Sequence, residues 1–155
     1  MKFIAQHSDG TLYTIPDTAI HINRRPFYIP PYAEPCLCQI AAAIRIGRLG
    51  RNIGERWAHR YYDRATLVAH KYTPSLPPSQ GCCFDEAVSI GEWQETESVL
   101  SPEQKTKADH MIAEASKYFM LRQGDILLID NCEAPFVLNI GDRLVREPYL
   151  AFDIK

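Results

Sequence analysis

The sequence predicts an α+β domain, mostly β, with two main helices near 53–63 and 102–120. Three observations carry that prediction. Short apolar runs are bounded by Gly, Pro, Asn and Asp, the punctuation of strands and turns. Two stretches switch to a helical period, each behind a capping signal. No repeat, low-complexity tract or linker divides the 155 residues, so a single domain over 1–155 is expected.

The first element is a hairpin over 1–15. Phe3 to Ala5 and Leu12 to Ile15 flank Ser8-Asp9-Gly10, and Asp-Gly supplies the positive φ of a tight turn. Prolines 26, 30, 31 and 35 make the stretch from Arg25 to Pro35 irregular or edge-like, because proline cannot donate to a strand ladder. Asn52 and Glu55 stand at capping-box spacing. Ile53, Trp57 and Tyr61 then recur every four residues, which predicts one apolar face on a helix over 53–63. A strand near 65–70 follows, and Pro74, Pro77 and Pro78 predict a loop.

The second helix has the clearer start. Ser101 is the N-cap candidate, Pro102 suits the first turn, and Gln104 completes a capping box. Ala108, Met111, Ile112, Ala115 and Phe119 form its buried stripe, and Gly124 follows its end. Strands are expected near 125–130, 135–139, 143–147 and 149–154, with Gly141-Asp142 as a turn between two of them.

Composition narrows the function classes. A net charge of −2 offers no reason to expect nucleic acid or an anionic membrane as partner. No run of about 18 apolar residues is present, so no membrane span is expected. The first residues, Met1 to His7, are too polar for a signal peptide, and a cytoplasmic location is the expectation. Five cysteines leave at least one unpaired, and a bridge between the neighbours Cys82 and Cys83 would be strained; reduced thiols are the simpler reading.

Several short motifs occur in a compatible order. They are Pro16-Asp17-Thr18-Ala19-Ile20, Arg25 to Pro30, Arg48-Leu49-Gly50-Arg51-Asn52-Ile53 and Ala58 to Asp63. Phe84-Asp85 before Ile90-Gly91-Glu92, then Gly124-Asp125-Ile126-Leu127-Leu128, then the ending Ile140 to Leu144 and Phe152 to Lys155 complete the set. Together they resemble the fumarylacetoacetate hydrolase family over most of the chain. The resemblance implies a mixed β-sandwich or roll, often dimeric. It also places a strand at Cys38 to Ile46, where alanines 41, 42 and 43 are weak strand formers. Family enzymes hydrolyse, decarboxylate or tautomerise keto acids through an enolate held by Mg²⁺ or Mn²⁺.

The same resemblance implies that the chemistry is gone. The family's two metal-binding glutamates, one residue apart on one strand face, correspond to Gln39 and Ala41. Its metal-binding aspartate corresponds to His70, and its lysine before the Phe-Asp pair to Cys82. Its substrate loop is replaced by Ile129-Asp130-Asn131-Cys132, and its N-terminal catalytic loop by the hairpin over 1–15. Three carboxylates become none, so neither Mg²⁺ nor Mn²⁺ is expected as a cofactor. The chain also skips a strand pair between Glu92 and Ser101, and an open sheet edge favours a homodimer or a partner protein.

Sharper readings meet plainer ones. Cys36, Cys38, His70, Cys82, Cys83 and Cys132 could serve Zn²⁺, but Cys-x-Cys and Cys-Cys are not zinc-finger spacings, and free Cys is usually a buried hydrophobe. A nucleophilic Cys beside His70 needs a lowered thiol pKa that sequence does not show. Arg56, Arg60 and Arg64, interleaved with Glu55 and Asp63, suit a solvated face or a subunit contact better than an anion stripe. Trp57, Tyr61 and Tyr62 suit an interface or the core. Asp130 and Glu133 could supply new carboxylates, or simply face solvent. His7, His21, His59 and His110 have no metal-binding spacing.

The expectation is therefore a catalytically degenerate homologue, a binding or partner protein whose pocket would keep at most a small carboxylate ligand. The alternative is an active metal-dependent hydrolase, isomerase or decarboxylase of keto acids with relocated ligands.

Overall fold

A computed structural model describes all 155 residues. The strands are β1 (Phe3–Gln6), β2 (Leu12–Ile15), β3 (Ile20–His21), β4 (Leu37–Ile46), β5 (Tyr62–Tyr72) and β6 (Val88–Ile90). They continue as β7 (Gln94–Glu95), β8 (Ile126–Asn131), β9 (Phe136–Val137), β10 (Arg143–Arg146) and β11 (Leu150–Asp153). The α-helices are α1 (Pro78–Gly81), α2 (Thr96–Val99) and α3 (Pro102–Tyr118). The chain is thus α+β and mostly β, as its sequence predicts. No helix is long and apolar enough to cross a membrane. The residues form two compact units, each drawn from three segments of the chain.

The first unit comprises 1–15, 42–66 and 93–130. Its sheet runs β2-β1-β8-β4-β5, with β7 against β5. The hairpin registers Phe3 with Ile15 and Gln6 with Leu12, and Gly10 turns it at φ +91°. Helix α3 covers this sheet. Ala108, Met111, Ile112 and Ala115 face a core of Ile4, Ile44, Ile46, Leu121 and Leu127. Its start is the predicted capping box: the Ser101 hydroxyl accepts from Gln104 N–H, and the Gln104 side chain accepts from Ser101 N–H.

The other predicted helix is a 3-10 turn, Glu55–Tyr61, with Gly54 at its N-cap and no side-chain cap. Of the predicted face, Ile53 and Tyr61 pack on the core but Trp57 does not, because a 3-10 helix repeats every three residues. Ala58 is buried instead, and Trp57 lies exposed between the guanidinium groups of Arg56 and Arg60, 4.4 and 4.5 Å from its ring. Asn52 does not cap. It occupies the left-handed region at φ +50°, which Asn tolerates, and its N–H goes to Ser116 C=O. The motif around it is a docking turn for α3. Gly50 exchanges backbone hydrogen bonds with Leu121, and Ile53 N–H donates to Ser116 Oγ. A Cβ on Gly50 would fall 2.5 Å from the Tyr61 ring and 2.7 Å from Ile53 Cδ1, so any larger residue would force those side chains to shift.

Asp125 closes this unit. Its buried carboxylate accepts from Lys2 N–H and Arg122 N–H and pairs with the Lys2 ammonium, each at 2.8 Å. Burial pushes the carboxyl up, but these donors outweigh burial and hold it below the usual range.

The second unit comprises 16–41, 67–92 and 131–155. Its strands run β9-β4-β5-β6-β3. β5 and β6 are antiparallel, with His70 opposite Val88; β3 runs parallel to β6, with His21 opposite Ser89. β10 and β11 form a separate hairpin that registers Arg143 with Asp153. The proline-rich stretch is irregular, as expected, but edge-like at one point. Phe27 bridges to Ile154, exchanging backbone hydrogen bonds with Asp153 and Lys155. Pro74 and Pro77 lie in a loop, as expected, whereas Pro78 is the first residue of the single turn of α1, where a proline fits.

Replacing Asp125 by Ala should cost about 3 kcal/mol in urea unfolding, since it orphans two N–H groups and the Lys2 ammonium. Because the folded carboxyl is held low, this contribution should be present above the unfolded carboxyl value and vanish as pH falls through the folded one.

Candidate functional site

Strand β4 carries the two positions that the sequence marks first. Gln39 is half-buried, and its amide donates to Glu133 C=O at 2.5 Å and to Ile40 C=O at 3.2 Å. Ala41 is buried and brings no polar atom. The residues after β8 lie along β4: Cys132 N–H donates to Ile40 C=O, Leu138 N–H to Cys36 C=O, and β9 sets Phe136 opposite Cys38. Gln39 and the segment after the exposed Asn131 are therefore neighbours. Glu133 directs its carboxylate to Arg146, with contacts of 3.0 and 2.5 Å, and that guanidinium holds the carboxyl low.

His70 and Cys82 form the other pair. His70 on β5 is buried, and its Nε2 donates to Cys82 C=O at 2.8 Å. The turn beneath this contact is tight: a Cβ on Gly81 would fall 2.5 Å from Thr73 C=O. Beyond Cys82 lies an open cleft of about 520 Å³, lined by Tyr32, Gln80, Cys83, Phe84 and Asp85 among others. Of the five marked residues, polar contacts thus join only His70 with Cys82; Gln39 bonds to Glu133, two residues beyond Asn131, and the Ala41 side chain has no polar atom.

These residues do not fit a hard divalent cation. Mg²⁺ and Mn²⁺ sites need anionic oxygens. Position 39 offers one neutral amide oxygen, position 41 nothing, and position 70 an N–H aimed at a carbonyl. All five cysteines are free. Burial pushes the Cys36 thiol up to about 11 and Cys38 to about 12, and it raises Cys82 and Cys83 as well, so these thiols are not activated nucleophiles.

Three residues that the sequence does not single out together form the most unusual polar group. Lys71 on β5 has no exposed surface. Its Nζ donates to Ser89 Oγ at 2.6 Å and lies 4.1 and 5.1 Å from the Phe27 and Phe152 rings. Ser89 Oγ is also 2.8 Å from His21 Nδ1, and His21 Nε2 is 3.3 Å from Pro26 C=O. Burial lowers Lys71 to about 7; it also lowers His21 to about 4, helped by Lys71. A lysine inside the apolar run Thr66 to Tyr72 is the signal that sequence offers, but its partners lie 18 and 50 positions away.

No protein-family profile matches the chain, and no curated protein does. Solved structures do. A 5-carboxymethyl-2-hydroxymuconate delta-isomerase from Mycobacterium smegmatis superposes with a TM-score of 0.82 at 18% identity, over 99% of this chain and 78% of that one. A Yersinia pestis protein assigned to the fumarylacetoacetate hydrolase family gives 0.84 at 18%, over 99% and 92%. A fumarylpyruvate hydrolase from Pseudomonas aeruginosa, solved with Mn²⁺ and pyruvate, gives 0.84 at 15%, over 99% and 89%. The chain has the fumarylacetoacetate hydrolase-type fold that its motifs imply.

Gly81→Ala should destabilise the second unit by about 2 kcal/mol or more, because the new methyl meets a backbone carbonyl that cannot rotate away. Thermal unfolding would show it as a drop of several degrees.

Proposed function

We propose that this chain is a catalytically degenerate fumarylacetoacetate hydrolase-like protein, acting as a binding or partner protein rather than as an enzyme. One observation carries the reading. At the positions proposed to correspond to the family's metal carboxylates, the polar side chains are an amide and an imidazole that donate to the chain's own carbonyls: Gln39 to Glu133 and Ile40, His70 to Cys82. Buried Ala41 completes the loss. A homodimer or a partner protein is the proposed setting, since family folds often dimerise and a sheet edge can take a further strand. The cleft beside Cys82 is the proposed place for a small carboxylate ligand, bound without metal.

The alternative is a metal-dependent hydrolase, isomerase or decarboxylase of keto acids with relocated ligands. Its support is the fold shared with the Pseudomonas fumarylpyruvate hydrolase, whose structure contains Mn²⁺ and pyruvate.

Turnover separates the two. Purified protein with Mg²⁺ or Mn²⁺ should leave oxaloacetate and acylpyruvates at their uncatalysed rates. The combined variant Gln39→Glu, Ala41→Glu, His70→Asp should gain Mn²⁺ binding measurable by calorimetry. Metal-dependent turnover by the native protein would overturn the proposal.

A further inference from the structure

The Lys71–Ser89–His21 group has a fixed polarity. His21 Nε2 faces the Pro26 carbonyl, which can only accept, so Nε2 carries the imidazole proton and Nδ1 is the acceptor. Ser89 Oγ lies 2.8 Å from Nδ1 and therefore donates to it. The Ser89 lone pairs are left to accept from Lys71 Nζ at 2.6 Å. A neutral Lys71 completes this chain with one N–H. A protonated Lys71 has two further N–H bonds that meet only ring faces, Phe27 at 4.1 Å and Phe152 at 5.1 Å.

The two ring faces attract a cation, but beyond them the surroundings offer the charged form no anionic partner. From β3 comes the neutral His21; from β4 and the residue before it come the un-ionised thiols of Cys38 and Cys36. From β6 comes Ser89, and from the turn before it Glu86, which is exposed and acts only at a distance. A fully buried ammonium with no carboxylate within ion-pair reach is costly, and proteins answer by releasing the proton. These contacts tie together β3, β5, β6 and β11, so the charge on one nitrogen bears on the core of the whole second unit.

We propose that the Lys71–Ser89–His21 chain is a built-in pH switch, in which protonation of Lys71 loosens the second unit and deprotonation tightens it. The sign follows from linkage. Lys71 titrates lower in the folded than in the unfolded chain, so between about pH 7 and 10.5 the unfolded chain holds the extra proton and stability rises with pH. Above about pH 9 the thiols of Cys36 and Cys38 ionise in the unfolded chain only, which reverses the trend. Stability should therefore peak near pH 9. From pH 7 to 9 the folded-to-unfolded ratio should climb about tenfold in all, steepest near pH 8 and levelling towards 9 as the thiols of the unfolded chain begin to ionise.

Two measurements test this on the whole chain. NMR of ¹³C-lysine-labelled protein should show one Cε resonance titrating near pH 7, absent in Lys71→Met. Urea unfolding from pH 7 to 9 should rise in stability for the native chain, whereas Lys71→Met should show no rise and a slight fall towards pH 9 as the unfolded thiols ionise. A native spectrum in which every lysine titrates above pH 9 would overturn the switch. So would a Lys71→Met protein that keeps the rise.

Discussion

Burial on both faces of β4 and β5 is the constraint on which the rest of the structure depends. From Ile40 to Ile44 every residue is buried, and so is the run from Val68 to Lys71. Such a strand cannot alternate apolar and polar side chains as a half-exposed strand does. It must use small and apolar residues, or polar ones whose partners lie inside the protein. Alanines 41 to 43 answer the first demand despite their weak strand preference. His70 and Lys71 answer the second through Cys82 C=O and Ser89 Oγ.

The same constraint bears on function. A carboxylate placed at position 41 would need a cation to be tolerated. The proposed loss of the metal and the presence of Ala41 are thus two sides of one energetic condition. Gln39, half-buried, keeps the shape of a glutamate but turns its amide to the backbone of Glu133. The fold itself does not decide between catalysis and binding. A shared architecture hosts many activities, and the identities of 14–18% with the matched structures establish architecture alone.

Much of the fold is legible in local signals. The Asp9-Gly10 turn, the Ser101–Gln104 box and the stripe on α3 each rest on residues a few positions apart, so chemistry and geometry coincide. At 53–63 the helix is legible and its buried face only partly so: Ile53 and Tyr61 pack on the core, while the 3-10 period buries Ala58 and leaves Trp57 exposed. Asn52 has the side chain of a cap but the backbone of a left-handed turn. The Lys71 group is hidden for a different reason. His21, Lys71 and Ser89 carry no common motif, and only the parallel pairing of β3 with β6 and the antiparallel pairing of β5 with β6 bring them together. Metal-ligand spacing gives no sign of His21, whose partners are a serine hydroxyl and a proline carbonyl.

A thermal-shift titration of metal-stripped protein with Mg²⁺, Mn²⁺ and Zn²⁺, each with and without oxalate as an enolate mimic, would decide whether the scaffold has parted from its metal. A ligand at a hundred times its dissociation constant adds about 2.7 kcal/mol, so a working site would be visible. The proposed loss of carboxylates at positions 39, 41 and 70 predicts no shift with any metal, with or without oxalate. Stabilisation by Mn²⁺ that oxalate strengthens would contradict it and restore the chain to the enzymes whose fold it shares.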